Sequence, residues 1–140
     1  MHRLMGPVIG DGRTDTTRGG WIMFIGPDGE DRPEMVEALR GLGFTFAIAE
    51  DFHEAKRVLG SQPPDLLVTH VRLGEYNGLQ LVLRGKMTRP EMAAIVVTDC
   101  ADPVLARDVA EMNATLVLST AGRQEWVAAA RRVIPARANS

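Results

Sequence analysis

The fold is decided by the stretch PDLLVTHVRLGEYNGLQL, residues 64–81. Its first half holds an apolar run, 66–71, of the kind that forms a strand buried on both faces of a parallel sheet. A loop at 74–78 contains Asn77 and Gly78, and from Leu79 the apolar residues recur at helical spacing. The stretch therefore predicts a strand, a loop and a helix in succession, which is one unit of an α/β sheet.

The same alternation continues on both sides of this unit. Apolar runs predict four more strands, at 21–25, 44–49, 93–98 and 115–119. Helical spacing predicts helices at 30–42, 53–59, 79–87 and 124–134. Asp102 and Pro103 mark the N-cap and the first turn of a fifth helix. Strands that alternate with helices predict a parallel sheet with helices on both faces.

Length and composition limit the possible functions. The chain has 140 residues, 45% of them apolar, which suits one domain with its own core. A net charge of -2 and few aromatic residues argue against nucleic-acid binding, and no stretch approaches a membrane span. A single cysteine, Cys100, excludes an internal disulfide and agrees with a cytoplasmic protein. We expect flexible tails at 1–20 and 135–140 around a domain at 21–134.

In such sheets the functional site lies at the carboxyl ends of the strands. The candidate positions are spaced 44, 28 and 22 residues apart from one strand end to the next. The residues at these strand ends are Gly26, Pro27, Asp28, His70, Thr98 and Thr120.

On these residues and spacings, 21–134 resembles the receiver domain of bacterial response regulators, the CheY-like family. The stretch 64–81 is similar to the family's third strand, phosphoacceptor loop and third helix, and AIAEDFHEAKRVL, 47–59, is similar to its second strand and helix. The resemblance implies a doubly wound, flavodoxin-like sheet of five parallel strands in the order 2-1-3-4-5 with five helices. It also implies a cytoplasmic role in two-component, or phosphorelay, signalling.

The resemblance further implies a phosphorylation site that this sequence lacks. Family members hold Mg²⁺ with two acidic residues after strand one and with the aspartate that accepts the phosphoryl group, because Mg²⁺ prefers oxygen ligands. Gly26 and Pro27 stand where the acidic pair would be, and His70 stands at the phosphoacceptor position. Thr120 replaces the family's lysine and Val117 replaces its switch aromatic, whereas Thr98 matches.

These departures predict a pseudo-receiver that is not an enzyme and has no metal or cofactor, with at most weak binding of Mg²⁺. Asp28 is either a substitute carboxylate or an ordinary residue at a helix start. His70 is a filler of the former acidic pocket, a phosphoacceptor or a pH-sensitive group. Thr98 either bonds to His70 or ends its strand, and Cys100 is expected to be an inert thiol.

We therefore expect phosphorylation-independent binding to a signalling protein, either a histidine kinase or a downstream effector, or self-association. Neither nucleic acid nor membrane is an expected partner. Two alternatives are a phosphocarrier that uses His70 and a receiver fragment of a transcriptional response regulator. The expected contact surface is the face of helix four, strand five and helix five. Its predicted contact residues are Leu105, Val109, Met112, Val117 and Trp126.

Overall fold

The computed structural model describes residues 20–26, 31–41 and 43–133. Pro27 and Asp28, which were predicted site residues, lie outside the described residues, as does nearly all of the two predicted tails. Of the predicted domain at 21–134, the structure describes residues 21–133 apart from 27–30 and 42.

A five-stranded parallel sheet forms the centre of the molecule. Its strands lie in the spatial order β2-β1-β3-β6-β7, which is the predicted order 2-1-3-4-5 once a small hairpin is numbered separately. The central strands are buried almost throughout, because helices cover both faces of the sheet. The sheet strands are β1 (Trp21–Ile25), β2 (Thr45–Ile48), β3 (Leu66–His70), β6 (Ala93–Thr98) and β7 (Thr115–Leu118).

Five helices cover the sheet, two on one face and three on the other. Successive residues of β1 point to opposite faces of the sheet. Ile22 packs in the core beneath α1 and α5, whereas Met23 packs in the core beneath the other three helices. The five predicted helices are confirmed, and their predicted ends differ from the observed ones by at most two residues. They are α1 (Asp31–Arg40), α2 (Phe52–Ser61), α3 (Leu79–Thr88), α4 (Pro103–Glu111) and α5 (Arg123–Val133).

Side-chain caps fix the starts of two helices. Asp102 accepts hydrogen bonds from the backbone N–H groups of Val104, at 2.9 Å, and Leu105, so the predicted cap of α4 is confirmed. Asp51 accepts one from the N–H of Glu54 at 2.9 Å. This cap starts α2 one residue before the predicted start. No described helix has both the length and the apolar character needed to cross a membrane.

The loop predicted at 74–78 is wrong in one respect, because part of it forms an antiparallel hairpin. Its two strands, β4 (Arg72–Leu73) and β5 (Tyr76–Asn77), are joined by Gly74 and Glu75, and the φ of Gly74, +68°, lies in the left-handed region. Glycine adopts that conformation without steric cost. Two-residue strands are too short to leave an alternating pattern, so they could not be predicted from hydrophobic periodicity. The hairpin places Tyr76 beside α2.

Candidate functional site

His70 ends β3 at the carboxyl edge of the sheet. Its side chain is only 8% exposed, and its backbone lies opposite Val97 of β6. The imidazole packs against Gly26, the residue that follows β1. A Cβ atom at position 26 would lie 3.1 Å from His70 Cδ2 and 3.3 Å from Phe24 Cζ, closer than most real Cβ contacts. The His70 ring thus occupies the space that a side chain at position 26 would need.

The backbone of His70 is equally crowded on the other side. A Cβ atom on Gly78 would overlap the carbonyl oxygen of His70 and would lie 2.8 Å from Thr69 Oγ1. The N–H of Gly78 donates to the carbonyl of Val71 at 2.8 Å, which holds the β4–β5 hairpin against the end of β3. Position 78 therefore requires glycine because of this close approach.

Thr98 ends β6 and is buried, with 5% of its surface exposed. Its hydroxyl donates to the carbonyl of Cys100 at 3.2 Å and is 3.4 Å from the Cys100 nitrogen. Thr98 is the last residue of β6, as one of the two predicted alternatives has it. Cys100 itself is exposed, and Thr120, at the predicted position after β7, is also exposed.

A second polar contact joins the loops that follow β6 and β7. The Ser119 hydroxyl donates to Asp99 Oδ1 at 2.9 Å, and the Ser119 N–H donates to the carbonyl of Thr98 at 2.8 Å. Asp99 and Ser119 were not among the predicted site residues. Their positions directly after two predicted neighbouring strands were the signal that could have revealed them.

The described residues contain no group of three histidine, cysteine, aspartate or glutamate side chains that could hold a metal ion. The acidic-pair positions are represented there by Gly26, which offers no side-chain ligand. Mg²⁺ needs several oxygen ligands in octahedral geometry. Among the described residues, the first of the two acidic-pair positions therefore offers no side-chain ligand.

The predicted partner face needs correction. Val109, Val117 and Trp126 are 1%, 8% and 0% exposed, because their side chains point inward and pack against the sheet. Leu105 and Met112 are half-buried against the second core. These five side chains therefore stabilise the fold, and at most two of them are open to a partner.

Other apolar side chains remain exposed on that face. Val104 at the start of α4 is 59% exposed and Leu118 of β7 is 40% exposed. A groove of about 470 Å³ runs beside β7 and α5, with Glu125 and Arg132 among its lining residues. No strand within the described residues pairs with the outer edge of β7, so the groove borders an open sheet edge.

Comparison with known structures identifies the architecture. A CheY-like response regulator receiver domain from Methanospirillum hungatei superposes with a TM-score of 0.73, 16% identity, and coverage of 86% of this chain and 98% of that one. The chain has the receiver-domain fold. The predicted resemblance and fold class are confirmed. A response regulator from Burkholderia pseudomallei, described with a phosphorylated aspartic acid and a calcium ion, superposes with a TM-score of 0.67, 19% identity, and coverage of 78% and 65%.

Sequence comparison adds a relative within the receiver-like region. The DNA-binding transcriptional regulator NtrC of Salmonella typhimurium is 29% identical over 83 residues, which are 59% of this chain. The match spans only 18% of NtrC, so this chain corresponds to a small part of that protein. No family model matches the chain.

Proposed function

We propose that this receiver-fold chain is a pseudo-receiver that signals by binding a protein partner, without aspartyl phosphorylation. The observation that carries the proposal is the packing of His70 against Gly26 at the carboxyl edge of the sheet. The B. pseudomallei response regulator is described with a phosphorylated aspartic acid, whereas the family resemblance puts His70, the last residue of β3, at the phosphoacceptor position of this chain. Phosphoryl transfer needs cations placed around the transferred oxygens, and Gly26 supplies no ligand for one.

We further propose that the chain does not switch between two conformational states. The Thr98 hydroxyl is occupied by the backbone of Cys100, and Ser119 joins the neighbouring loop to Asp99. Val117, at the position of the family's switch aromatic, is a buried aliphatic that packs in the core. An aliphatic side chain has no polar group to exchange between a buried and an exposed position. Regulation would then depend on the partner and its abundance.

We place the partner on the surface formed by α4, β7 and α5. Val104 and Leu118 give this surface exposed apolar groups, and the adjacent open edge of β7 offers backbone hydrogen-bonding groups. The proposed partner is a cytoplasmic histidine kinase or downstream effector of a two-component pathway, or a second copy of the chain. The match to NtrC supports a related alternative, in which these residues act as the receiver part of a transcriptional regulator.

Beryllofluoride, which mimics an aspartyl phosphate, tests the proposal directly. Amide NMR spectra of the protein would be recorded with Mg²⁺ alone and then with Mg²⁺ and beryllofluoride. We expect no saturable shifts at His70 or Thr98. The double variant Gly26→Asp/His70→Asp is the matched comparison, since it restores two of the missing carboxylates. Saturable shifts around Thr98 in the unmodified protein would contradict the proposal.

The phosphocarrier alternative makes a different prediction. A histidine that carries phosphate forms an acid-labile, base-stable phosphoramidate. We expect no such label after incubation with acetyl phosphate or a kinase extract, because His70 is only 8% exposed. The His70→Ala variant is the control. Label that is present in the unmodified protein and lost in this variant would establish the phosphocarrier function instead.

A further inference from the structure

A second concave surface lies at the same edge of the sheet, on the side of β1 and β2. It is a groove of about 590 Å³ between the end of β1, the loop that leads into α2, and the β4–β5 hairpin. Small-molecule sites commonly have volumes of about 300–1,000 Å³ and occur at the carboxyl ends of strands in α/β sheets. The groove is separate from the surface of α4, β7 and α5 that we propose for a protein partner.

Three rings from two elements form one wall of this groove. The rings of Phe52 and Tyr76 stack with their centroids 4.3 Å apart and an angle of 9° between their planes. The His53 ring stands almost perpendicular to Tyr76, at 5.3 Å, and its Nε2 is 3.2 Å from the Tyr76 hydroxyl. Phe52 is 8% exposed and anchors the cluster in the core beneath α2. The aromatic wall is therefore formed before any ligand arrives.

The described residues that line the groove have an acidic excess. Three of them carry carboxylates, Glu50, Asp51 and Glu75, and one carries a guanidinium, Arg72. Asp51 also caps α2 through one carboxylate oxygen. Glu75 is exposed in the turn of the hairpin, next in sequence to Tyr76. Aromatic faces and carboxylates both attract organic cations, whereas an anion would be repelled by most of the charged groups here.

We propose that this groove binds an organic ammonium ion, with an aromatic or aliphatic body against the rings and a protonated amine among the carboxylates. Such a ligand would contact α2 and the β4–β5 hairpin together. Because Gly26 lines the groove and also contacts His70, the ligand would lie beside the degenerate site. The inference goes beyond the proposed binding of a protein partner and does not depend on it.

Three probes with the same ring and different charges test the proposal on the full chain. These are phenethylammonium, 2-phenylethanol and phenylacetate, each titrated while amide NMR shifts are followed. We expect saturable shifts with phenethylammonium at the groove, and binding at least threefold weaker for the neutral and anionic probes. A weak cation–π site should still be saturated at about 20 mM ligand. Equal binding of all three probes, or no saturation by phenethylammonium at that concentration, would overturn the proposal.

Two variants and a control separate the parts of the proposed site. Glu75→Gln should weaken phenethylammonium binding roughly two- to fivefold, because it removes one exposed carboxylate of the groove. Tyr76→Leu should weaken it more, because it removes an aromatic face. Glu111→Gln removes one negative charge at an exposed position of α4, away from the groove. It should leave the binding constant for phenethylammonium unchanged. Equal effects of Glu75→Gln and Glu111→Gln would mean that only net charge matters, and the site would be refuted.

Discussion

Replacing Gly26 by alanine measures the steric match between this residue and His70. The new Cβ would lie 3.1 Å from His70 Cδ2 and 3.3 Å from Phe24 Cζ, so both neighbours must move by a few tenths of an ångström. Overpacking of this kind typically costs about 1–3 kcal/mol. Alanine also restricts the unfolded chain, which offsets about 0.4–1 kcal/mol of that cost. We expect a net loss of about 1 kcal/mol in the free energy of unfolding.

A double-mutant cycle isolates the contact with the imidazole. In a His70→Ala background the 3.1 Å contact no longer exists, whereas the contact with Phe24 and the effect on the unfolded chain remain. Those shared terms cancel, so the coupling between Gly26→Ala and His70→Ala reports the crowding by the ring. We expect a coupling of about 1 kcal/mol, within the usual range for residues in contact.

Urea denaturation of the four proteins, followed by circular dichroism, would measure this coupling. Gly41→Ala is the matched control, because a Cβ at that position would meet its nearest atoms, the carbonyl oxygens of Ala38 and Glu37, at 3.6 Å, an ordinary van der Waals distance. It should leave stability unchanged or raise it by up to about 1 kcal/mol. A coupling within about 0.3 kcal/mol of zero would show that the His70 ring does not fill the space beside Gly26, and the packing on which the proposed function rests would be wrong.

Three further predictions concern other parts of the molecule. Gly78→Ala should destabilise the protein by more than about 2 kcal/mol in thermal unfolding, because its Cβ would overlap the His70 carbonyl; an unchanged melting temperature would contradict this. Burial lowers the pKa of Lys86 below 10.5, so the unfolded chain binds more protons and stability should rise as the pH increases toward 10.5. Urea midpoints of the unmodified protein and Lys86→Met check this, and parallel pH profiles would refute it. Val104→Glu should weaken binding of a purified partner about tenfold without lowering the melting temperature. Met87→Glu changes an exposed apolar residue on α3 and should not weaken this binding. Equal effects of the two variants on binding would exclude the α4 surface.

Most of the fold could be predicted because its signals are local. An apolar run bounded by turn residues indicates a buried strand wherever it occurs, and β6 was predicted with its observed ends, Ala93–Thr98. The Asp102–Pro103 cap depends only on adjacent residues. The order of the strands came from the resemblance to a known family, and the structure confirms it.

The surface of α4, β7 and α5 was harder to predict. Val109 and Trp126 recur at helical spacing with the other apolar residues of their helices, but they were predicted to contact a protein partner. An apolar stripe normally faces the core, and the structure buries both side chains completely or nearly so. The exposed groups, Val104 and Leu118, do not follow that periodicity and were not singled out.

The sequence by itself determined which residues stand at the ends of the strands. They include a histidine and a glycine at positions where the receiver-domain family, which the sequence resembles, has acidic residues. Only the tertiary structure decided that His70 and Gly26, 44 positions apart, are in contact. The same holds for Asp99 with Ser119 and for Phe52 with Tyr76. Local patterns encode the elements, because periodicity and caps involve neighbouring residues. Contacts between elements depend on how strands align and loops return, which a single sequence does not encode locally.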